Sequence, residues 1–285
     1  LKADGTGTYI TNLAAVTKLT SAKGGIVNIY AQWVPDESII TLVNGTGANP
    51  ETTTLVAKYD HDMPRVTKPT KAGHEFRGYF TGAYATGVKY YTDTLRSLVV
   101  WKKQLTGEGL KLYAYWTVFT YVVDPNTNKV TITGFIDNPA ISGTLTIPST
   151  IEGYEVVGLE SEAMNTTNTP ELGLVTDIVV PASISYLGMD VFAGTSADVT
   201  FPTESVTTKI TAYSFSEYAG TTFVVPDSVT EIENNAFDGC TSLTNIVIPS
   251  TVTTIGLDAF AGCSNLNTIT VPLSSPYSAT TNYYL

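Results

Sequence analysis

Two histidines, two cysteines and 26 acidic residues are the side chains of this 285-residue chain from which catalytic or metal chemistry could be built. His61 precedes Asp62 in YDHDMP, just ahead of a proline. A general base needs a nucleophile or a substrate proton within reach, and a solvated loop is the simpler reading of this stretch. His74 falls at an aromatic position of an expected strand, HEFRGYF, where packing accounts for it. No serine or cysteine of the C-terminal half has a histidine near it in sequence, so a nucleophilic triad would have to assemble between distant segments. The run NGTGAN at 44–49 is rich in glycine but lacks the Lys and following Ser or Thr of a phosphate loop, and reads as a turn. The cysteines and histidines are too widely spaced for a zinc site. No catalytic residue, metal ligand or cofactor is assigned, and the chain is read as a non-enzyme.

Cys240 and Cys263 sit at equivalent places in two consecutive stretches, PDSVTEIENNAFDGCTSLTNIVI and PSTVTTIGLDAFAGCSNLNTITV, which are identical at ten positions. A rung spacing of ~4.8 Å lies inside the Cα window of a disulfide. Parallel stacked side chains rarely offer the torsion it needs, however, and free buried thiols are expected.

These cysteines are positioned by a repeat. Prolines recur at Pro148, Pro181, Pro202, Pro226, Pro249 and Pro272, each ending a short run: LTI, IVV, VTF, FVV, IVI and ITV. One and three residues before each proline the chain is apolar, while the positions two and four before it face the other way, which is the period-two alternation of a half-buried strand. A second apolar set follows each proline: Val229, Ile232, Ala236, Phe237, Cys240 and Leu243, then Val252, Ile255, Ala259, Phe260, Cys263 and Leu266. Ordering backbone costs roughly 1–2 kcal/mol per residue, and burying an apolar side chain returns only about 1.5–3 kcal/mol. One such unit cannot stand alone, so the units are expected to stack with one strand per coil on a shared core. Proline, with no N–H to donate, closes each strand.

The pattern of IP followed by V..I...AF.GC..L..I.IP resembles the BspA-like class of bacterial leucine-rich repeats over about 119–275. The first unit departs from it, reading Ala163-Met164 at the AF position with a longer loop, EAMNTTNTPELG. The unit from Pro202 has SEYAGTT in place of the GC..L segment. FTYVVDPNTNKVTITGF, with a turn at DPNTN, resembles the hairpin cap of such arrays. The resemblance implies a mainly β fold, a right-handed solenoid over 118–285, and protein binding at a bacterial surface.

Upstream, NIYAQW ending at Trp33 echoes KLYAYW ending at Trp116, and the match extends back to Gly5 and Gly87. Residues 1–33 are therefore read as the end of one module, expected to form a hairpin, and 34–117 as a complete copy. With PTKAGHEFRGYF and the closing LYAYW, this copy resembles the Listeria–Bacteroides repeat, the internalin B-repeat, which implies a β-grasp-like spacer.

Composition narrows the partners. A net charge of -11 and a pI near 4.5 disfavour nucleic acid and anionic membrane surfaces. Apolar runs of about five residues fall far short of the ~20 a spanning helix needs. The Thr-rich, Lys-poor, Cys-poor chain opens at Leu1, as expected of a processed or excised fragment of an extracellular bacterial surface protein. A monomer is expected. The candidate contact surface is the outward face of the ladder: Thr146, Asp177, Val179, Asp198, Thr200, Thr222, Val224, Asn245, Val247, Thr268 and Thr270. Asp177 and Asp198 should lie on adjacent rungs, where like charges cost stability unless a cation or a basic partner offsets them. The expected function is adhesin-like binding of a host matrix protein or another bacterial surface protein. The alternatives are a carbohydrate-binding accessory region of a larger secreted enzyme and a structural stalk without a ligand.

Overall fold

Glu37–Val43 is a strand because its apolar residues alternate: Ile40 and Leu42 are buried while Ile39 points out. The computed structural model describes residues 37–102, 109–137 and 139–271; the hairpin expected within 1–33 lies outside them. Glu37–Val43 pairs antiparallel with Thr52–Lys58 and parallel with Leu110–Thr117. Leu110–Thr117 in turn pairs antiparallel with Glu75–Phe80, which pairs with Lys89–Tyr91. Against this five-stranded sheet Phe76, Tyr79, Tyr91, Trp101 and Leu112 form one apolar cluster. NGTGAN is a turn, as expected, and its Asn44 ties the cluster together. The Tyr79 hydroxyl donates to Asn44 Oδ1 at 2.6 Å, Trp116 Nε1 donates to the Asn44 carbonyl at 2.8 Å, and Asn44 Nδ2 donates to the Pro50 carbonyl at 2.8 Å.

Phe119–Asp124 and Lys129–Phe135 form the expected hairpin. Asp124 sets its turn by accepting from Asn126 N–H and the Thr127 hydroxyl. From here to Val271 a second, larger cluster runs without a break, and it holds most of the residues that the proline-anchored pattern places inward. The strands Gly143–Thr146, Val175–Val179 and Asp198–Thr200 are paired in parallel, as are Thr222–Val224, Asn245–Val247 and Thr268–Thr270. Ile246 lies directly beside Ile269 in that register.

One strand per unit was the expectation; the structure has two. Short parallel pairs link Gly158–Leu159 to Tyr186–Leu187 and join Lys209–Ile210, Glu231–Ile232 and Thr254–Ile255. The reason is backbone accounting: buried N–H and C=O groups must be paired, and after Val229 or Val252 the nearest partners are the same positions of adjacent units. The core between the two rows is a column of rings. Phe192, Phe215, Phe237 and Phe260 stack with centroids 5.1, 5.2 and 5.4 Å apart. Threonine is abundant for a related reason. Thr207, Thr230, Thr244 and Thr253 each donate a hydroxyl to a carbonyl one unit back.

Glu152 connects the two clusters. Its carboxylate receives Lys89 Nζ at 2.8 Å and the Tyr121 hydroxyl at 3.0 Å, with Arg77 Nε 3.4 Å away. Arg77 also donates to the Tyr121 oxygen and lies over the Tyr121 ring. Burial and the nearby Glu152 charge push the Tyr121 hydroxyl well above its ordinary pKa. The joint is thus built from groups that are charged on both sides.

Candidate functional site: the outward face of the strand stack

Inward apolar residues anchor each strand, so the intervening positions have to face out. Leu145, Ile178, Val199, Phe223 and Ile246 are buried, while Thr146, Asp198, Thr200, Thr222, Thr268 and Thr270 are exposed. Asp177, Asn245 and Val247 are half-buried, and Val179 and Val224 are 37% and 66% exposed. Register aligns Thr146 with Val179 and Thr200, and Asp177 with Asp198. It also aligns Thr222 with Asn245 and Thr268, and Val224 with Val247 and Thr270. Asp177 and Asp198 are thus neighbours on adjacent rungs, and hydroxyls of Thr144 and Thr176 donate to Asp177. The Asn245 side-chain oxygen is buried without a hydrogen-bond partner.

The eleven positions do not form one ladder. Two three-stranded sheets are separated between Thr200 and Thr222. Elsewhere the residue before each proline donates its N–H to the next rung: Ile147 to Val179, Val180 to Thr200, Val225 to Val247 and Ile248 to Thr270, at 2.9–3.0 Å. Among the described residues, the equivalent bond from Phe201 to Val224 is missing. A cleft of ≈ 280 Å³ opens there, lined by Asp198, Phe201, Tyr218, Val224 and Asp227 among others.

The turn before each strand also varies in length from unit to unit. Backbone bonds from Gly194 to Ser216, Glu217 to Asp238 and Gly239 to Ala261 place Thr195, Tyr218, Cys240 and Cys263 at one level of successive units. From that level to the strand's central apolar residue the chain takes four residues to Val199, five to Phe223, and six to Ile246 and Ile269. A one-residue difference does not by itself break the ladder, since Thr222–Val224 and Asn245–Val247 pair in register. Cys240 and Cys263 donate their thiols to the Phe215 and Phe237 carbonyls, 3.0 and 3.1 Å away, one unit back. Tyr218 is too long to do this. Its ring packs edge-on against Phe215 and Phe223, and burial pushes its hydroxyl pKa up to about 12. Gly220 makes room: a Cβ there would lie 2.2 Å from the Tyr218 ring. Tyr218, Phe201, Phe223 and Asp227 were not candidates from sequence; the departure SEYAGTT was the available signal.

The residues considered for chemistry are dispersed. Both cysteines are free and buried, and the Cys263 thiol together with burial drives the Cys240 pKa upward. His61 is exposed, with Nδ1 donating to the Tyr59 carbonyl. His74 stands immediately before Glu75–Phe80, in an antiparallel bridge with Lys71. It ends the turn before Glu75–Phe80, with Nδ1 donating to the Ala72 carbonyl, because a turn at Gly73 reverses the chain there. Among the described residues no three metal-ligating side chains gather, and no helix is long and apolar enough to cross a membrane.

Charge divides the chain sharply. Residues 118–285 carry 17 carboxylates against Lys129 and Lys209, a net of -15, and residues 1–117 carry 13 cations against 9 carboxylates. Lys129 pairs with Glu155, and Lys209 with Glu231 and Glu233.

Residues 171–282 match the model of the BspA type leucine rich repeat region, in six copies. Solved structures with a similar chain include a leucine rich repeat protein of T. pallidum, 24% identical at a TM-score of 0.45, aligned over 53% of this chain and 68% of that one. A leucine-rich repeat protein of Bacteroides ovatus is 27% identical at 0.46, over 56% and 41%. A leucine rich cell surface protein of Faecalibacterium prausnitzii is 24% identical at 0.42, over 53% and 37%. The chain thus spans less than half the length of the latter two. No curated protein sequence matches it.

Proposed function

We propose that the protein is a non-catalytic, adhesin-like interaction protein of the bacterial cell surface, binding a protein partner through the outward face of its strand stack. In this reading residues 118–285 form a leucine-rich-repeat-like right-handed solenoid with a cap hairpin. Residues 34–117 are a β-grasp-like B-repeat module serving as a spacer, and 1–33 are the end of a preceding one. The observation that carries the reading is the face itself. Eleven outward positions stand on two three-stranded ladders, each in register, and seven of them carry small hydroxyls or bare valines in exposed positions. Among the described residues, buried thiols, dispersed histidines and shallow clefts offer no constellation for catalysis, whereas a broad, short-chained surface costs little side-chain entropy to cover.

The test is a panel of extracellular-matrix proteins set beside a glycan array, probed with the native chain and with a variant bearing Thr200→Lys, Val224→Lys and Val247→Lys. Protein binding lost in the variant is the expected result. Protein binding that survives all three lysines would exclude this face.

Carbohydrate binding is a second reading with a specific observation in its favour. Tyr84 is 84% exposed and, with Tyr115, borders a furrow of ≈ 430 Å³ that continues along Pro148, Val179 and Pro181. Exposed rings beside a furrow suit the apolar faces of sugars. Glycan hits lost on Tyr84→Ala would favour it.

A further inference from the structure

We infer that two copies of the chain associate about a two-fold axis through the open edge strand Thr52–Lys58, centred on Val56, so that one continuous sheet carries two repeat halves. This goes beyond the proposed function, because it concerns the N-terminal sheet and holds whatever the repeat face binds.

The two edges of the five-stranded sheet are built differently. Lys89–Tyr91, at one edge, is three residues long, bulged against Glu75–Phe80 and followed by a turn that folds back on it, with Leu98 N–H donating to the Tyr90 carbonyl. Thr52–Lys58, at the other, is seven residues long and pairs with Glu37–Val43 without a register shift. Among the described residues no strand pairs with its outer side. Short strands, bulges, prolines and charges are the devices that keep an edge from pairing with another chain. Of these Thr52–Lys58 has only its terminal lysine, which faces the Glu37 carboxylate at 3.4 Å.

Side chains point to a second copy as the occupant. Ala57 is buried in the N-terminal cluster and Leu55 packs against it, so Thr52, Thr54, Val56 and Lys58 stand on the opposite face. There Val56 is paired with Ile39, and the two are 47% and 62% exposed. An antiparallel copy centred on Val56 sets this valine against its own counterpart. The two Ile39–Val56 pairs then join into one aliphatic row across four strands. Lys58 of each copy falls opposite Thr54 of the other, so no like charges meet. A strand that matches itself in this way suits the isologous contact of a two-fold dimer.

The charge distribution agrees. The acidic repeat half is joined through Glu152 to Arg77 and Lys89, on the two strands farthest from Thr52–Lys58 in the sheet order. Ten strands spaced ~4.8 Å apart put about 40 Å between the two joints, several times the ~8 Å screening length at physiological salt. Repulsion between the two acidic halves is thereby screened. Two repeat faces held together engage a repetitive partner at high effective concentration.

The experiment is analytical ultracentrifugation of the full chain from about 1 μM to about 1 mM. A reversible shift from 30.5 kDa toward twice that mass is expected. Val56→Lys, at an exposed site, sets two ammonium groups against each other on the axis and should weaken the dimer by about tenfold or more, with an unchanged circular dichroism spectrum. Oxidised cysteine variants read the register. Val56→Cys should cross-link, since directly opposed residues lie within the Cα window of a disulfide. Thr54→Cys should not, because four residues of strand hold the two Thr54 positions about 14 Å apart. A monomer at every concentration would leave the edge to residues 1–33 or to a strand of another protein and overturn the inference. A dimer untouched by Val56→Lys, or cross-linked equally well through Thr54→Cys, would place the contact elsewhere and overturn it too. The matrix-protein panel reads the repeat face separately, so the dimer is able to fail while that reading stands.

Discussion

Replacing Phe237 by alanine should injure the repeat half and spare the other. Phe237 is fully buried, with Phe215, Phe260 and Phe223 rings at 5.2, 5.4 and 5.1 Å. Deleting an enclosed ring that its neighbours cannot refill costs about 3–5 kcal/mol. With a urea slope of about 2 kcal/mol per M, the unfolding midpoint falls by about 1.5–2.5 M. Phe237→Leu keeps most of the volume and should cost less than about 1.5 kcal/mol. The assay separates the halves because Trp33, Trp101 and Trp116 all precede residue 118. Tryptophan fluorescence therefore follows the N-terminal cluster, while far-UV circular dichroism also records loss of the repeats. The circular dichroism transition should split, with an early phase in Phe237→Ala, while the fluorescence midpoint moves little. A cost under about 1 kcal/mol would refute the enclosed ring column, and a fluorescence midpoint falling in step would refute the independence of the two clusters.

Three further outcomes follow from the same contacts. Glu152→Gln removes the charge that Lys89, Arg77 and Tyr121 share and should cost about 1.5–3 kcal/mol, the range for hydrogen bonds to charged groups; faster proteolytic cleavage between residues 117 and 143 would report the loosened joint, and unchanged cleavage would count against it. Gly220→Ala drives a methyl into the Tyr218 ring and should cost about 1–3 kcal/mol; adding Tyr218→Cys, the residue type of the next two units, should recover most of it in thermal melts, and strict additivity would contradict the packing. Cys240 and Cys263 should resist thiol reagents in the native protein and react fully in urea, with no mass change on reduction; a two-hydrogen shift would reveal a disulfide instead.

The strands before each proline were readable because their signal is local: two inward and two outward residues within five positions. Ile246 beside Ile269 needed only the repeat and the period of two. The second row was not readable, since Glu231–Ile232 and Thr254–Ile255 are two residues long and carry no period. Nor was the break in the ladder between Thr200 and Thr222, because the paths to Val199 and Phe223 differ by one residue, as do those to Phe223 and Ile246, which remain paired. Glu152 shows the same limit: its partners Lys89 and Arg77 are far away in sequence and belong to another sheet.

The most direct measurement is a hydrogen-exchange footprint of the chain in complex with a matrix protein that binds it. Protection gained within 144–146, 177–179, 198–200, 222–224, 245–247 and 268–270 is predicted. Protection confined to the sheet of 37–117 or to the second strand row, with these segments unchanged, would contradict the account.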